Sequence, residues 1–347
     1  MRYGQNWIDF SIVPKAEKMK WLVTGASGFL GLNIVKELAS RGCDVVAGAL
    51  RPPDTESVQF LRSCSDLVVW ASVDVTNREH FQQLLVENNI EAIMHCAAVT
   101  TVSPDHARSI EYMMNTNYSG TVNILESARV SGVERVMFLS SAAVYGRQTD
   151  RKGTIGETDP LSGTNPYALS KIKAEQCCRF YTREHGMSVT TGRLGAVYGP
   201  MERPNIYRSR TSIPCQLVSM AMNTNVIKVS GLSVKQVYSF VNDVVRHLVD
   251  AACLPQFVSR TFNIGAPYRS SLNDLVAAVA SIRPDLSFQV TDNDVSADII
   301  MGPNDERSVL DCSCLETIIG KLDWLGIEDG LSEVFKWFEK RQDYGYI

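Results

Sequence analysis

The chain has 347 residues, enough to bury a substantial core, a formal net charge of -4 and no block of like charges. Nothing in that balance forms a basic footprint for nucleic acid or an anionic membrane, so a small-molecule partner is expected. No apolar run reaches the roughly 18 residues needed to span a bilayer, and residues 1–18 mix charges among Trp7, Ile8 and Phe10, which reads as an extension and neither an anchor nor a secretory signal.

In chain order, the apolar run Trp21-Leu22-Val23 predicts a buried strand. It leads into Gly25-Ala26-Ser27-Gly28-Phe29-Leu30-Gly31 and then a helical pattern carried by Ile34, Val35, Leu38 and Ala39. Glycines between a strand and a helix let backbone approach a pyrophosphate, and the helix N-terminus adds N–H groups and the positive end of its dipole. Further strands are predicted at 44–50, 67–71, 92–97, 136–140, 188–194 and 261–264, with helical patterns between them. Short apolar strands alternating with longer helices imply an α/β fold, a doubly wound parallel sheet covered on both faces. From about residue 196 the alternation loosens, with helices near 213–222, 241–253, 271–282 and 329–341. The reading divides the chain into an extension (1–18), a dinucleotide-binding domain (19–195) and a smaller C-terminal substrate-binding lobe (196–347). Segments near 241–265 return from the lobe to the main sheet.

Nine cysteines without C-x-x-C pairs of metal type, and five histidines without ligand spacing, predict no metal and a reducing, cytoplasmic setting. The chemistry is expected from Ser141, at the end of the strand Phe138-Leu139-Ser140-Ser141, and from Tyr167 and Lys171 in Asn165-Pro166-Tyr167-Ala168-Leu169-Ser170-Lys171. Residues four apart share a helical face, so an ammonium lies near the phenol and favours its ionised form. Tyr167 then serves as general acid or base, and Ser141 hydrogen-bonds the substrate oxygen while hydride leaves or reaches the adjacent carbon. The lysine also holds a ribose hydroxyl of the cofactor.

These motifs together resemble the extended short-chain dehydrogenase/reductases, in particular the sugar-nucleotide epimerase/dehydratase branch, over about residues 19–340. The resemblance implies a Rossmann-like fold, an NAD(P) cofactor, a carbohydrate substrate and a homodimer formed through helices near 107–130 and 167–186. It assigns Gly25, Ser27, Gly28, Phe29, Leu30 and Gly31 to the cofactor phosphates and Asp74-Val75 to the adenine. Cys96, Ala97 and Ala98 after His95, with Leu194 in Arg193-Leu194-Gly195-Ala196-Val197-Tyr198-Gly199-Pro200, complete the cofactor set. Asn117 is the helix asparagine that supports the active-site strand or lysine, and joins Ser141, Tyr167 and Lys171 in the catalytic set.

The second strand ends in Arg51 with no acidic residue, which favours NADP, with NAD as the alternative. Ala142-Ala143 stands where the family's dehydratases carry an acidic pair, which argues against 4,6-dehydration. Ala196 replaces the family's asparagine before Tyr-Gly-Pro, and Gln236 and Val237 replace an arginine and its acidic neighbour, which weakens the grip on a nucleotide diphosphate. Arg203, Arg208 and Arg210 are expected to meet an anionic substrate group, beside Thr100, Ser141 and Ala142. Three readings result. The leading one is an epimerase or oxidoreductase acting at a carbohydrate hydroxyl carbon of a nucleotide sugar or sugar acid. The others are a reductase or dehydrogenase of a small non-nucleotide hydroxy or keto compound, and a non-catalytic NAD(P)-sensing regulator.

Overall fold

A computed structural model describes residues 19–101, 108–146, 153–204, 210–254, 259–292 and 296–346. The first half alternates β1 (Lys20–Thr24), α1 (Phe29–Ser40), β2 (Asp44–Ala49), α2 (Thr55–Phe60), β3 (Val68–Ser72), α3 (Arg78–Glu87) and β4 (Ala92–His95). It continues through α4 (Arg108–Met114), a π-helical turn at Asn115–Ser119, α5 (Gly120–Ser131), β5 (Arg135–Ser141), α6 (Pro166–His185) and β6 (Ser188–Leu194). Then come β7 (Ala196–Tyr198), α7 (Ile213–Ala221), β8 (Val226–Ser230), β9 (Lys235–Gln236), β10 (Tyr238–Phe240) and α8 (Val241–Ala252). The chain ends with β11 (Thr261–Ile264), β12 (Ser270–Ser271), α9 (Leu272–Ile282), β13 (Ser287–Val290), β14 (Ile299–Ile300), α10 (Ser313–Ile319) and α11 (Ile327–Asp343).

The central sheet has seven strands in the order β11-β6-β5-β4-β1-β2-β3, every pair parallel. Its inner strands are apolar on both faces because helices cover both: Leu22, Val46 and Ile93 belong to one buried cluster, Trp21, Val23, Val45 and Met94 to the other. The order reverses direction between β1 and β4, so the loops following these two strands diverge and open a crevice at their carboxyl ends.

Local chemistry sets the helix that bears Tyr167. Asn165 caps α6 by accepting from the Ala168 amide at 2.9 Å, Pro166 occupies the first turn, and Gly186 ends the helix at φ 64°. The late strand at 261–264 is β11, paired with β6 at the sheet edge. Arg41, at the end of α1, reaches Asp250 of α8 at 2.7 Å.

Short strands escape the sequence pattern. β8, β13 and β14 form a second parallel sheet, and β7–β10 and β9–β12 are two-stranded. Runs of two to five residues carry too little alternation to be distinguished from loops. The helix expected across 107–130 is instead two helices joined by the π-turn, which widens the backbone at Asn117.

Candidate active site

The crevice between the β1 and β4 loops deepens into a cleft of about 840 Å³. Gly25, Ser27, Gly28, Phe29, Leu30 and Gly31 line it together with Arg51, Asp74, Val75, Cys96, Ala97, Ala98 and Thr100. Ser141, Tyr167, Lys171, Leu194, Arg203 and Arg210 line it as well. Residues from positions 25 to 210 thus meet in one cavity.

The glycine turn is built for close approach. Gly25 sits at φ +70°, and a Cβ there would lie 2.8 Å from the Ala97 backbone; a Cβ on Gly31 would lie 2.2 Å from the Gly25 carbonyl oxygen. The Gly28 amide donates to Gly25 O at 2.9 Å, which closes the turn. No side chain caps α1, so its first turn offers backbone N–H groups to a ligand anion. This cradle fits the pyrophosphate of a dinucleotide.

The cleft lining after β4 is fixed from behind. His95 is buried between two threonines, its Nδ1 2.9 Å from Thr24 Oγ1 and its Nε2 3.0 Å from Thr121 Oγ1. Burial, with a smaller effect from the Lys171 charge, pushes its pKa down to about 3, so the ring is neutral. Cys96 is pushed up to about 12 by burial and remains a thiol. Asp74 accepts from the amide and hydroxyl of Thr76 at 2.9 and 2.7 Å, so the same side chain both makes the turn and faces the cleft.

Lys171 is almost fully buried, and its ammonium donates to Leu139 O at 2.7 Å and stands 4.7 Å over the Phe138 ring. Burial pulls its pKa down to about 8, while Cys96, Cys178 and Glu175 act in the opposite direction. The lysine therefore stitches α6 to β5. Ser141 Oγ accepts from the Ala143 amide at 3.2 Å.

Several expectations change. Asn117 does not line the cleft: it accepts from Val99 N at 2.8 Å and donates to Val99 O at 2.9 Å and Ser170 Oγ at 3.0 Å. It clamps the β4 loop to α6 and is a positioning residue, because the π-turn directs its amide inward. Ala142 packs with Val144, Tyr145, Ile155 and Leu310, not in the cleft. Arg203 is met by Asp54 and Glu56, each at 2.9 Å, so two carboxylates of the β2–α2 segment already answer its charge. Arg208 lies outside the described residues. Tyr112, Thr116 and Met201 line the cleft without any sequence motif to mark them.

The charged network behind the cleft was also not legible. Glu175, fully buried on α6, accepts from Ser140 Oγ at 2.6 Å and from Arg193 Nε and Nη2 at 3.0 and 2.7 Å. A Glu four residues after Lys171 and an Arg inside a strand are the hints the sequence offers.

Among the described residues no helix is long and apolar enough to cross a membrane, and no group of three or more His, Cys, Asp or Glu side chains is placed to hold a metal ion.

The chain is 28% identical over 337 residues to the trifunctional UDP-glucose 4,6-dehydratase/UDP-4-keto-6-deoxy-D-glucose 3,5-epimerase/UDP-4-keto-L-rhamnose-reductase of Arabidopsis thaliana, covering 93% of this chain and 48% of that protein. It thus spans about half the length of this relative. UDP-glucose 4-epimerase of Bacillus subtilis is 30% identical over 221 residues, 62% of this chain and 64% of the relative. Among solved structures, MoeE5 in complex with UDP-glucose and NAD superposes with a TM-score of 0.74 at 26% identity, covering 93% of this chain and 99% of the other. Relatives with 4,6-dehydratase activity mean that family resemblance gives no ground for excluding dehydration; that expectation rests on Ala142-Ala143 alone. Residues 21–265 match the model of the NAD dependent epimerase/dehydratase family, and the chain belongs to that family.

Proposed function

We propose that the protein is an NAD(P)-dependent epimerase or oxidoreductase acting at a hydroxyl-bearing carbon of a sugar, with a nucleotide sugar as the first candidate. The observation that carries this reading is the meeting of Ser141, Tyr167 and Lys171 with the Gly25–Gly31 cradle in one cleft.

The dinucleotide, bound with its pyrophosphate on the α1 N-terminus, supplies a carbon that accepts or returns hydride. The chain supplies the proton chemistry. Tyr167 takes the proton of the substrate hydroxyl as the carbonyl forms and gives it back on reduction. Lys171, held charged against Leu139 O, stabilises the phenolate, and the Ser141 hydroxyl donates to the same substrate oxygen. The apolar lining around Cys96 and Ala97 excludes water from that exchange. Re-reduction of the same carbon on its other face would give epimerisation, and release of the oxidised product would give net dehydrogenation.

Arg51 at the end of β2 is exposed and lines the cleft where the adenosine ribose falls, which supports NADP over NAD. Asp54 lines the cleft as well, which works against an extra phosphate. Ile110, Tyr112, Leu169 and Phe180 are exposed apolar residues on α4 and α6, which supports a homodimer, and light scattering tests it. Ala143 spends its amide on Ser141 Oγ and neither alanine carries a carboxyl, so the reading omits dehydration.

A second reading, a small hydroxy or keto compound without a nucleotide, is favoured by one observation: Val237 is buried and Gln236 lies in the β9–β12 pair, so neither position offers a cation. Incubation with NAD or NADP and a panel of UDP- and GDP-sugars, sugar acids and free hydroxy acids decides. Conversion of a nucleotide sugar without net change in nicotinamide absorbance supports epimerisation. Stoichiometric absorbance change with a free hydroxy acid supports the second reading, and no conversion by any compound overturns both.

A further inference from the structure

Glu175 occupies a position that the proton chemistry above does not use. Its carboxylate is fully buried and takes the Ser140 hydroxyl at 2.6 Å on one oxygen. Arg193 approaches both oxygens, at 3.0 and 2.7 Å, and Arg179, half exposed, is 3.4 Å from the second. Arg193 extends the network through Nη1 to Tyr145 Oη at 2.8 Å and Glu157 O at 2.9 Å, and Tyr145 donates to Asn263 Oδ1 at 2.6 Å. Asn263 on β11 then donates to Ile155 O and Asp311 O. One buried polar chain therefore joins the end of β5, helix α6, β6, β11 and the C-terminal segment directly behind the cleft.

We propose that Glu175 is a positioning residue, its carboxylate locking the Ser140–Ser141 end of β5 to the turn of α6 that bears Lys171 and balancing the Arg193 guanidinium behind it. This rests on the proposed role of Ser141, Tyr167 and Lys171. An ion pair buried this deeply costs desolvation that an apolar pair avoids, so what it contributes is geometry and charge balance at a stated place. Two connections place it there. Glu175 follows Lys171 by one helical turn, and Ser140 precedes Ser141 on the strand whose Leu139 carbonyl accepts from the Lys171 ammonium. Around that ammonium stand Glu175, Cys178 and Tyr167 on α6, and His95 and Cys96 at the end of β4; Glu175 is the carboxylate among them. Removing its charge takes away the partner of Arg193 and one of the charges that favour the Lys171 ammonium.

The test reads Lys171 directly, by NMR of protein carrying 13Cε-lysine, with the Lys171 signal assigned from its loss in Lys171→Arg. In Glu175→Gln the titration midpoint of Lys171 is expected to fall measurably relative to the unaltered protein, and Glu175→Asp is expected to restore part of it. A midpoint that stays in place while only the melting temperature drops makes Glu175 a structural residue and overturns the proposal. Should Glu175→Gln fail to fold, Ser140→Ala decides, since it removes one hydrogen bond and leaves the ion pair. Hydrogen–deuterium exchange of residues 139–146 is expected to quicken at least fivefold in that variant, and unchanged exchange overturns the proposal. The enzymatic reading is judged apart, by turnover in Tyr167→Phe: activity surviving there removes the proposed function whatever the titration shows, whereas an inactive Tyr167→Phe with an unmoved Lys171 removes only the role of Glu175.

Discussion

The ammonium of Lys171 donates to the carbonyl of Leu139 at 2.7 Å, across 32 positions of sequence. A helix side chain thereby registers α6 on the strand that ends in Ser141, and the phenol of Tyr167 shares that register. Replacing Tyr167 by Phe removes the proton carrier while keeping the ring, so turnover should fall about 10²–10⁴-fold with dinucleotide affinity within about threefold of the original. Steady-state kinetics beside calorimetric titration of the cofactor checks both parts.

The cradle makes a sharper demand. Gly31→Ala would set a methyl 2.2 Å from the Gly25 oxygen, a contact with backbone that no rotamer relieves. Dinucleotide binding should weaken more than tenfold and the melting temperature should fall. Gly42→Ala, with open space around its Cβ but φ +84°, should lower stability and leave cofactor affinity unchanged. Calorimetry on the two variants separates a ligand effect from general strain.

His95 gives a pH dependence with a definite sign. The unfolded chain takes up a proton near pH 6.5, whereas the buried ring resists until about pH 3. Between these values the unfolded state binds more protons, so stability falls as pH falls, by up to about 1.4 kcal/mol per pH unit. Urea unfolding from pH 7 to pH 4 should show that slope. His95→Gln should be less stable at pH 7 and should show a shallower decline.

Arg203 stands between two roles. Its guanidinium holds Asp54 and the buried Glu56, which also lies 2.9 Å from Arg341. Arg203→Ala should cost about 1–3 kcal/mol by stripping a partner from a buried carboxylate. If its function is only to join the β2–α2 segment to the loop after β7, KM for the sugar should hold in that variant. Arg210 also lines the cleft, and Arg210→Ala should raise KM several-fold when the substrate is anionic.

Arg51 tests the choice of cofactor. Arg51→Ala should reduce NADP affinity about tenfold and leave NAD within about twofold, since a guanidinium meets the 2′-phosphate that NAD lacks. Equal affinities for the two cofactors in the unaltered protein would remove the preference for NADP.

Much of this was legible without coordinates. Short apolar runs placed the strands of the central sheet to within one or two residues, because strands such as β1 and β4, covered on both faces, are largely apolar, and the glycines between β1 and α1 marked a turn that the structure shows to be a close backbone approach. The sequence also pointed to Ser141, Tyr167 and Lys171 as one group, and a strand end and one helix face bring the three to the same cleft. Tertiary structure alone decided the rest, since it depends on partners distant in sequence. Arg203 looked like a free cation until Asp54 and Glu56 came to it from 149 and 147 positions away. Only the structure shows that Asn117 gives its support through Val99 and Ser170, and that Glu175 and Arg193 are buried against each other. Periodicity reports which face a side chain takes, but the identity of the group waiting there is set by how the chain returns.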